Sequence, residues 1–239
     1  REPITTAMLL HMKSSITSLP RHSLPSAHFD WQVLGHHFGF RKSEWCQDIA
    51  AIRRNDFARA LNGEILAARA DDITFLGAGD YEIKQTSSVL RNTELAHAVR
   101  FRWRFQKNGD NSVGRFVSRN TSHPDLCPVL AAIRIVQRAQ NLAVKLSDPI
   151  AVYAPSSGKT HAFIANTHVQ HLVRSAARDV YNIHDKRLNL WSCHSMRVGA
   201  CVQLFITHHS AEKSSSSFAG IQQHGGIISV TVPPYPFPK

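Results

Sequence analysis

His194 and Arg197 stand three positions apart inside an otherwise largely apolar run, Leu190 to Phe205 (LWSCHSMRVGACVQLF). On a helix, positions i and i+3 share a face, so the imidazole and the guanidinium would project together. That pair suits phosphate chemistry. The guanidinium forks onto a phosphate, and the imidazole donates or accepts a proton beside it. A buried helix with one snorkelling Arg and one satisfied core His has the same pattern. The His-x-x-Arg spacing alone does not separate the two readings.

The whole chain adds weight to an anionic partner. Its 239 residues carry 28 Lys and Arg against 17 Asp and Glu, a net charge of +11. Such a balance favours nucleic acid through phosphate neutralisation; generic basicity is the plain alternative. The length suffices for a full core in one domain or two. Apolar residues make up 43% of the chain, which argues against wholesale disorder. No apolar run approaches the ~20 residues of a membrane span, and the first residues (REPITTAM) do not read as a secretory signal.

Two motifs are decoys. APSSGKT, Ala154 to Thr160, resembles the end of a phosphate-binding loop, but Tyr153 stands where its first glycine belongs. Cys46, Cys127, Cys193 and Cys201 form no CxxC pair, and Cys193, His194 and Cys201 fit no common zinc spacing. The cysteines read as reduced intracellular thiols. Neither a metal nor a nucleotide cofactor is expected.

The elements that must position the pair can be read in order. Ile4 to Leu19 has helical spacing, with Thr5 or Thr6 as cap. Pro20 and Pro25 bound a polar loop, Phe29 to Phe40 reads as a second helix, and Gly39 to Gln47 (GFRKSEWCQ) turns the chain. A further helical run to Ala68 and a short strand, Asp72 to Leu76, follow. Val99 to Gln106 alternates as VRFRWRFQ: Val99, Phe101, Trp103 and Phe105 take one face, and Arg100, Arg102, Arg104 and Gln106 the other. Asn108-Gly109 supplies a hairpin turn, and Val113 to Ser118 returns as the partner strand. The face of Arg100, Arg102 and Arg104 either lies on DNA or RNA or is simply solvated. Helices are expected over Pro124 to Val144 and Asn166 to Tyr181, the latter with Asn166 as cap, and Asp148 to Tyr153 as an extended link. From residue 214 onward a Ser run, Gly225-Gly226 and Pro-rich punctuation replace the helical periodicity.

Three pieces in this order carry a resemblance: Gly39, Arg41 and Glu44 in GFRKSEW, Lys107 on the hairpin, and His194 with Arg197. The chain resembles the catalytic domain of the tyrosine recombinase, or phage integrase-like, family, in the flavour of DIRS-like or Crypton-like mobile elements. The resemblance covers roughly residues 1–210. It implies an α+β fold, mainly helical, with a small antiparallel sheet whose hairpin spans about 97–119. Function would be DNA integration and site-specific recombination on double-stranded DNA, in the nucleus, with a recombinase homo-oligomer assembled on the DNA. Family members attack a phosphodiester with a Tyr hydroxyl and conserve its energy in a 3′-phosphotyrosyl bond. The resemblance gives Arg41 and Arg197 the clamp on the pentavalent phosphate, His194 a proton-transfer role and Lys107 that of acid to the leaving 5′ oxygen. Glu44 would support the fold or orient a basic residue. A core-binding domain usually precedes this catalytic domain.

One family feature is missing. A Tyr nucleophile is expected about thirty residues after the second Arg. Tyr81, Tyr153 and Tyr181 precede Arg197, and Tyr235 is flanked by Pro in PPYPFPK, which precludes a helix. Lys213 to Val230, back-translated with permitted codons and read two bases further along, can give VIKFLRWHSTAWRNYL. That string resembles the missing segment, with a Trp-His pair and a helical Tyr. The chain is therefore expected to comprise a recombinase-like catalytic domain over 1–212 and an aberrant, poorly packed, frameshifted tail over 213–239, and to be defective in strand cleavage. The rival reading is a non-enzymatic DNA- or RNA-binding remnant that uses only the basic hairpin. The genomic DNA across codons 205–239 should hold a Tyr codon in the shifted frame. A second frame interrupted by stops before that codon would remove the frameshift account.

Overall fold

The computed structural model describes residues 1–46, 67–84, 86–104 and 114–215. Among them the chain is α+β, with seven α-helices and a three-stranded antiparallel sheet. The helices are α1 Thr6–Ile16, α2 Leu24–Phe38, α3 Lys42–Trp45, α4 Thr86–Arg91, α5 Pro128–Asn141, α6 Asn166–Tyr181 and α7 Ser195–Ser215. The strands of the main sheet are β1 Ile73–Leu76, β2 Ala98–Arg102 and β3 Gly114–Ser118, in that spatial order. A second, two-stranded sheet pairs β4 Val152–Tyr153 with β5 Ala162–Phe163. No helix among the described residues is long and apolar enough to cross a membrane.

Helix α2 is the centre of the core. It starts at Leu24, five residues before the predicted Phe29, because Ser23 caps it and Pro25 falls in its first turn. A proline there loses no helical hydrogen bond, so it begins the helix instead of bounding a loop. Eleven of its fifteen residues are buried. Polar residues are among them, and the charged one is paired inside the protein. Asp30 accepts from Arg134 Nε and Arg138 Nη2, each at 2.5 Å, so α2 is ionically tied to α5. Gln32 Nε2 donates to His28 Nε2 at 3.0 Å.

The alternation seen in the sequence docks β2 on this core. Val99, Phe101 and Trp103 are buried, and Phe101 lies 4.5 Å from Phe40 between ring centroids. Strand β2 ends at Arg102, short of the predicted Gln106. The register pairs Phe101 with Ile73 on one side and with Arg115 on the other, so ITFL forms the third strand beside the predicted hairpin, and Asp72 closes the 3-10 turn before it. The turn with Asn108-Gly109, and the predicted helical run after Gln47, lie outside the described residues.

Other boundaries shift for local reasons. Pro124–Leu126 forms a separate 3-10 turn, and Pro128 opens α5 at the position where proline is tolerated. Asn166 is the first residue of α6 instead of its cap; the N–H of Ala165 donates to His168 Nδ1 at 3.1 Å. Helix α7 begins only at Ser195, after a 3-10 turn over Lys186–Leu190, and it runs to Ser215, so Lys213 to Ser215 are helical. The rest of the predicted tail, including Tyr235, lies outside the described residues.

Burial of histidines has a measurable consequence. Desolvation pushes His28 down to about 3, and desolvation with the charge of His37 pushes His36 down to about 4, from an ordinary 6.5. The fold holds both neutral, while the unfolded chain protonates them below pH 6.5, so stability falls as pH drops through that value. Each should cost about 2 kcal/mol between pH 7 and pH 5. Urea midpoints at the two pH values check this, and equal midpoints would refute the burial of both imidazoles.

Candidate functional site

The site forms where the C-terminal end of α2 meets the start of α7. Gly39 ends α2 in the left-handed region, at φ +67°, and its N–H donates to Gly35 O at 2.7 Å. That conformation favours glycine, and it turns the chain sharply out of the helix. A Cβ built at Gly39 would lie 3.4 Å from the Ala200 Cβ of α7. Arg41 follows at the N-cap of α3, two residues past the turn.

Arg41 is held by Glu44. The Arg41 backbone N–H donates to Glu44 Oε2 at 2.7 Å, and its Nη1 donates to Oε1 at 3.0 Å. Trp103 Nε1 donates to the same Oε2 at 3.1 Å. Glu44 is 8% exposed, so one buried carboxylate receives three donors from two segments far apart in sequence. Charge-assisted bonds to a desolvated carboxylate are the stronger kind, and they fix the Arg41 side chain.

On the facing side, His194 directly precedes the first residue of α7, and Arg197 lies in its first turn. The Val198 N–H donates to His194 O at 3.2 Å. Residues before the helix are clamped by the N-terminal segment. Glu2 N donates to Leu190 O at 3.2 Å, Trp191 Nε1 to Pro3 O at 3.1 Å, and Ile4 N to Ser195 O at 3.1 Å. Gly199 makes this crossing possible, since a Cβ there would meet Ile4 O at 2.4 Å.

Charges from several segments bear on His194. Its pKa is lowered, first by desolvation and then by the charges of Arg1, Arg197 and Arg41. Arg41 and Arg197, about 150 positions apart, thus both act on this imidazole. Arg1 joins them, and no spacing in the sequence pointed to it. The Trp103 to Glu44 bond was equally illegible, although Glu44 was expected to orient a basic residue. Lys107 lies outside the described residues.

Arg100, Arg102 and Arg104 form a different environment. Arg100 Nη2 lies 2.7 Å from Glu82 Oε2. Arg102 Nη2 lies 3.4 Å from Asp72 Oδ1. Arg104 Nε donates to Asp72 Oδ2 at 2.7 Å, and its Nη2 donates to Asp71 Oδ1. The face expected either to lie on DNA or RNA or to be simply solvated carries its own carboxylates, because β1 and the turn before it bring Asp71 and Asp72 alongside β2. Burial pushes the Asp72 carboxyl up, while the Arg69 N–H and Arg104 pull it down. This cluster ties the sheet edge together.

Chemically, guanidinium groups beside an imidazole are residue types suited to an anion. The lowered pKa of His194 favours its neutral form. No group of three or more His, Cys, Asp or Glu that could hold a metal occurs among the described residues. No family model, curated protein or solved structure matches the chain.

Removing a neighbouring cation makes protonation easier. Arg197→Gln and Arg41→Gln should each raise the His194 pKa toward 6.5, as read by imidazole NMR shifts across a pH titration. Titration curves that coincide with the parent's would mean the guanidinium groups do not act on His194.

Proposed function

We propose that this chain is a tyrosine-recombinase-like catalytic domain that binds duplex DNA and presents one phosphodiester to Arg41, Arg197 and His194. The observation that supports the reading is that the charges of Arg41 and Arg197 both bear on His194 near the α2–α7 junction. The α+β architecture with a small antiparallel sheet is compatible with it. In this reading the two guanidinium groups clamp the non-bridging oxygens, whose negative charge grows in the transition state. His194, neutral at pH 7, takes or returns a proton at the phosphate. Lys107 serves as acid to the leaving 5′ oxygen. Glu44 and Trp103 keep Arg41 from folding away when no DNA is bound.

Cleavage needs a nucleophile, and the sequence offers no Tyr in a helical context after Arg197. The chain as written binds DNA without cutting it. Phosphate contact and strand cleavage are then separable properties. A non-enzymatic DNA-binding role is the second reading, and the clamp without a Tyr supports it equally.

Duplex affinity should fall steeply with added salt as bound phosphates release counterions. Arg41→Gln with Arg197→Gln should weaken binding by more than tenfold and flatten the log–log salt slope by about 2. Arg100→Ala should flatten it by less than one, since Glu82 already neutralises that charge. Fluorescence anisotropy across a salt series measures both. A slope unchanged in the double variant overturns the phosphate clamp. A covalent protein–DNA adduct on a nicked substrate overturns the claim of inactivity.

A further inference from the structure

A second basic cavity lies at the other end of α2. It is a cleft of about 660 Å³ between α1, the following loop, α2 and α5. Its lining includes Arg21, Arg134 and Arg138, with Asp30 as the carboxylate among them. Phe29 and Ile133 supply an apolar wall. Asp30 sits in the second turn of α2, whereas Arg41 follows the helix's far end. Phe38 lies eight positions beyond Asp30, about 12 Å of axial rise, so this cleft is distinct from the α2–α7 junction.

The charge here is not balanced. Three guanidinium groups face one carboxylate. Asp30 is shared between Arg134 and Arg138, and Arg138 also donates to Arg21 O at 3.1 Å. Arg134 Nη2 and His22 Nδ1 are buried with no hydrogen-bond partner among the described residues. Arg134 Nη2 is a cationic donor, so an anionic acceptor in the cleft would satisfy it. The Arg134 side chain is 35% exposed, so part of it lies open to the cleft. The surplus field is felt locally: the pKa of His22 is lowered by desolvation and by the charges of Arg138 and Arg21.

We propose that this cleft binds a phosphomonoester carried on an apolar body of mononucleotide size. The volume suits a ligand of that class. Arg21 and Arg134 take the phosphate, and Arg138 stays engaged with Asp30. Phe29 and Ile133 cover the apolar part. This site does not depend on the DNA reading of the α2–α7 junction.

The test is equilibrium binding of fluorescent N-methylanthraniloyl-AMP to the full chain. Saturable binding, displaced by AMP and more weakly by inorganic phosphate, is expected. Arg134→Gln and Arg21→Gln should each weaken it about tenfold, the loss of one charge-assisted contact. The Arg41→Gln, Arg197→Gln double variant should bind the nucleotide as the parent does. Arg21 is exposed, so its variant should keep the fold and can decide the matter if Arg134→Gln does not fold. Absence of saturable binding overturns the proposal, as does parental affinity in both single variants. Adenosine binding as tightly as AMP would do the same, since the cations would then be idle. Loss of binding in the double variant would assign the nucleotide to the α2–α7 junction and overturn the second site.

Discussion

Helix α2 is buried on nearly every side, and that constraint dictates much of the rest. A helix so enclosed can keep a charged group only if that charge is paired inside the protein. Asp30 takes two guanidinium groups from α5, and His28 stays neutral beside Gln32. An ion pair of this kind adds little net stability, since desolvation offsets much of the attraction. Its effect is on register. Sliding α2 along α5 by one turn would leave a carboxylate and a buried Arg138 unpaired, at a cost of several kcal/mol.

Fixing α2 fixes what its C-terminus delivers. Gly39 redirects the chain, Arg41 caps the next short helix, and Glu44 returns to hold Arg41. Trp103 then links this corner to β2, whose apolar residues already pack on Phe40. The start of α7 completes the site from the opposite side, pinned by the N-terminal segment over Gly199. Positive charges that repel one another are thereby assembled by packing elsewhere. Two guanidinium groups thereby act on one imidazole.

Two of the basic regions of the described chain show why charge counting is a poor guide to binding. Arg102 and Arg104 alternate cleanly on a strand, yet Asp71 and Asp72 meet them across the sheet edge. Arg41 and Arg197 show no periodicity together, yet they converge on His194 with Glu44 as the buried carboxylate holding one of them. Like charge count, unlike field: the difference is where the carboxylates fall in space.

The sequence by itself determined the local elements and the types of chemistry available. The period-2 alternation of VRFRWRF placed Val99, Phe101 and Trp103 on the buried face, because strand geometry sends alternate side chains to opposite sides. Helical spacing located α1, α5 and α6, though capping and proline positions moved their ends by a few residues. The boxes around Arg41 and His194 were visible as residue types suited to a phosphate. Only the tertiary structure decided which charges stand alone and which are paired. Trp103 and Glu44 are 59 positions apart, and Arg1 and His194 lie at opposite ends of the described chain. Such contacts arise from how helices and strands dock, and docking depends on side-chain packing over the whole core, which no local window of sequence contains.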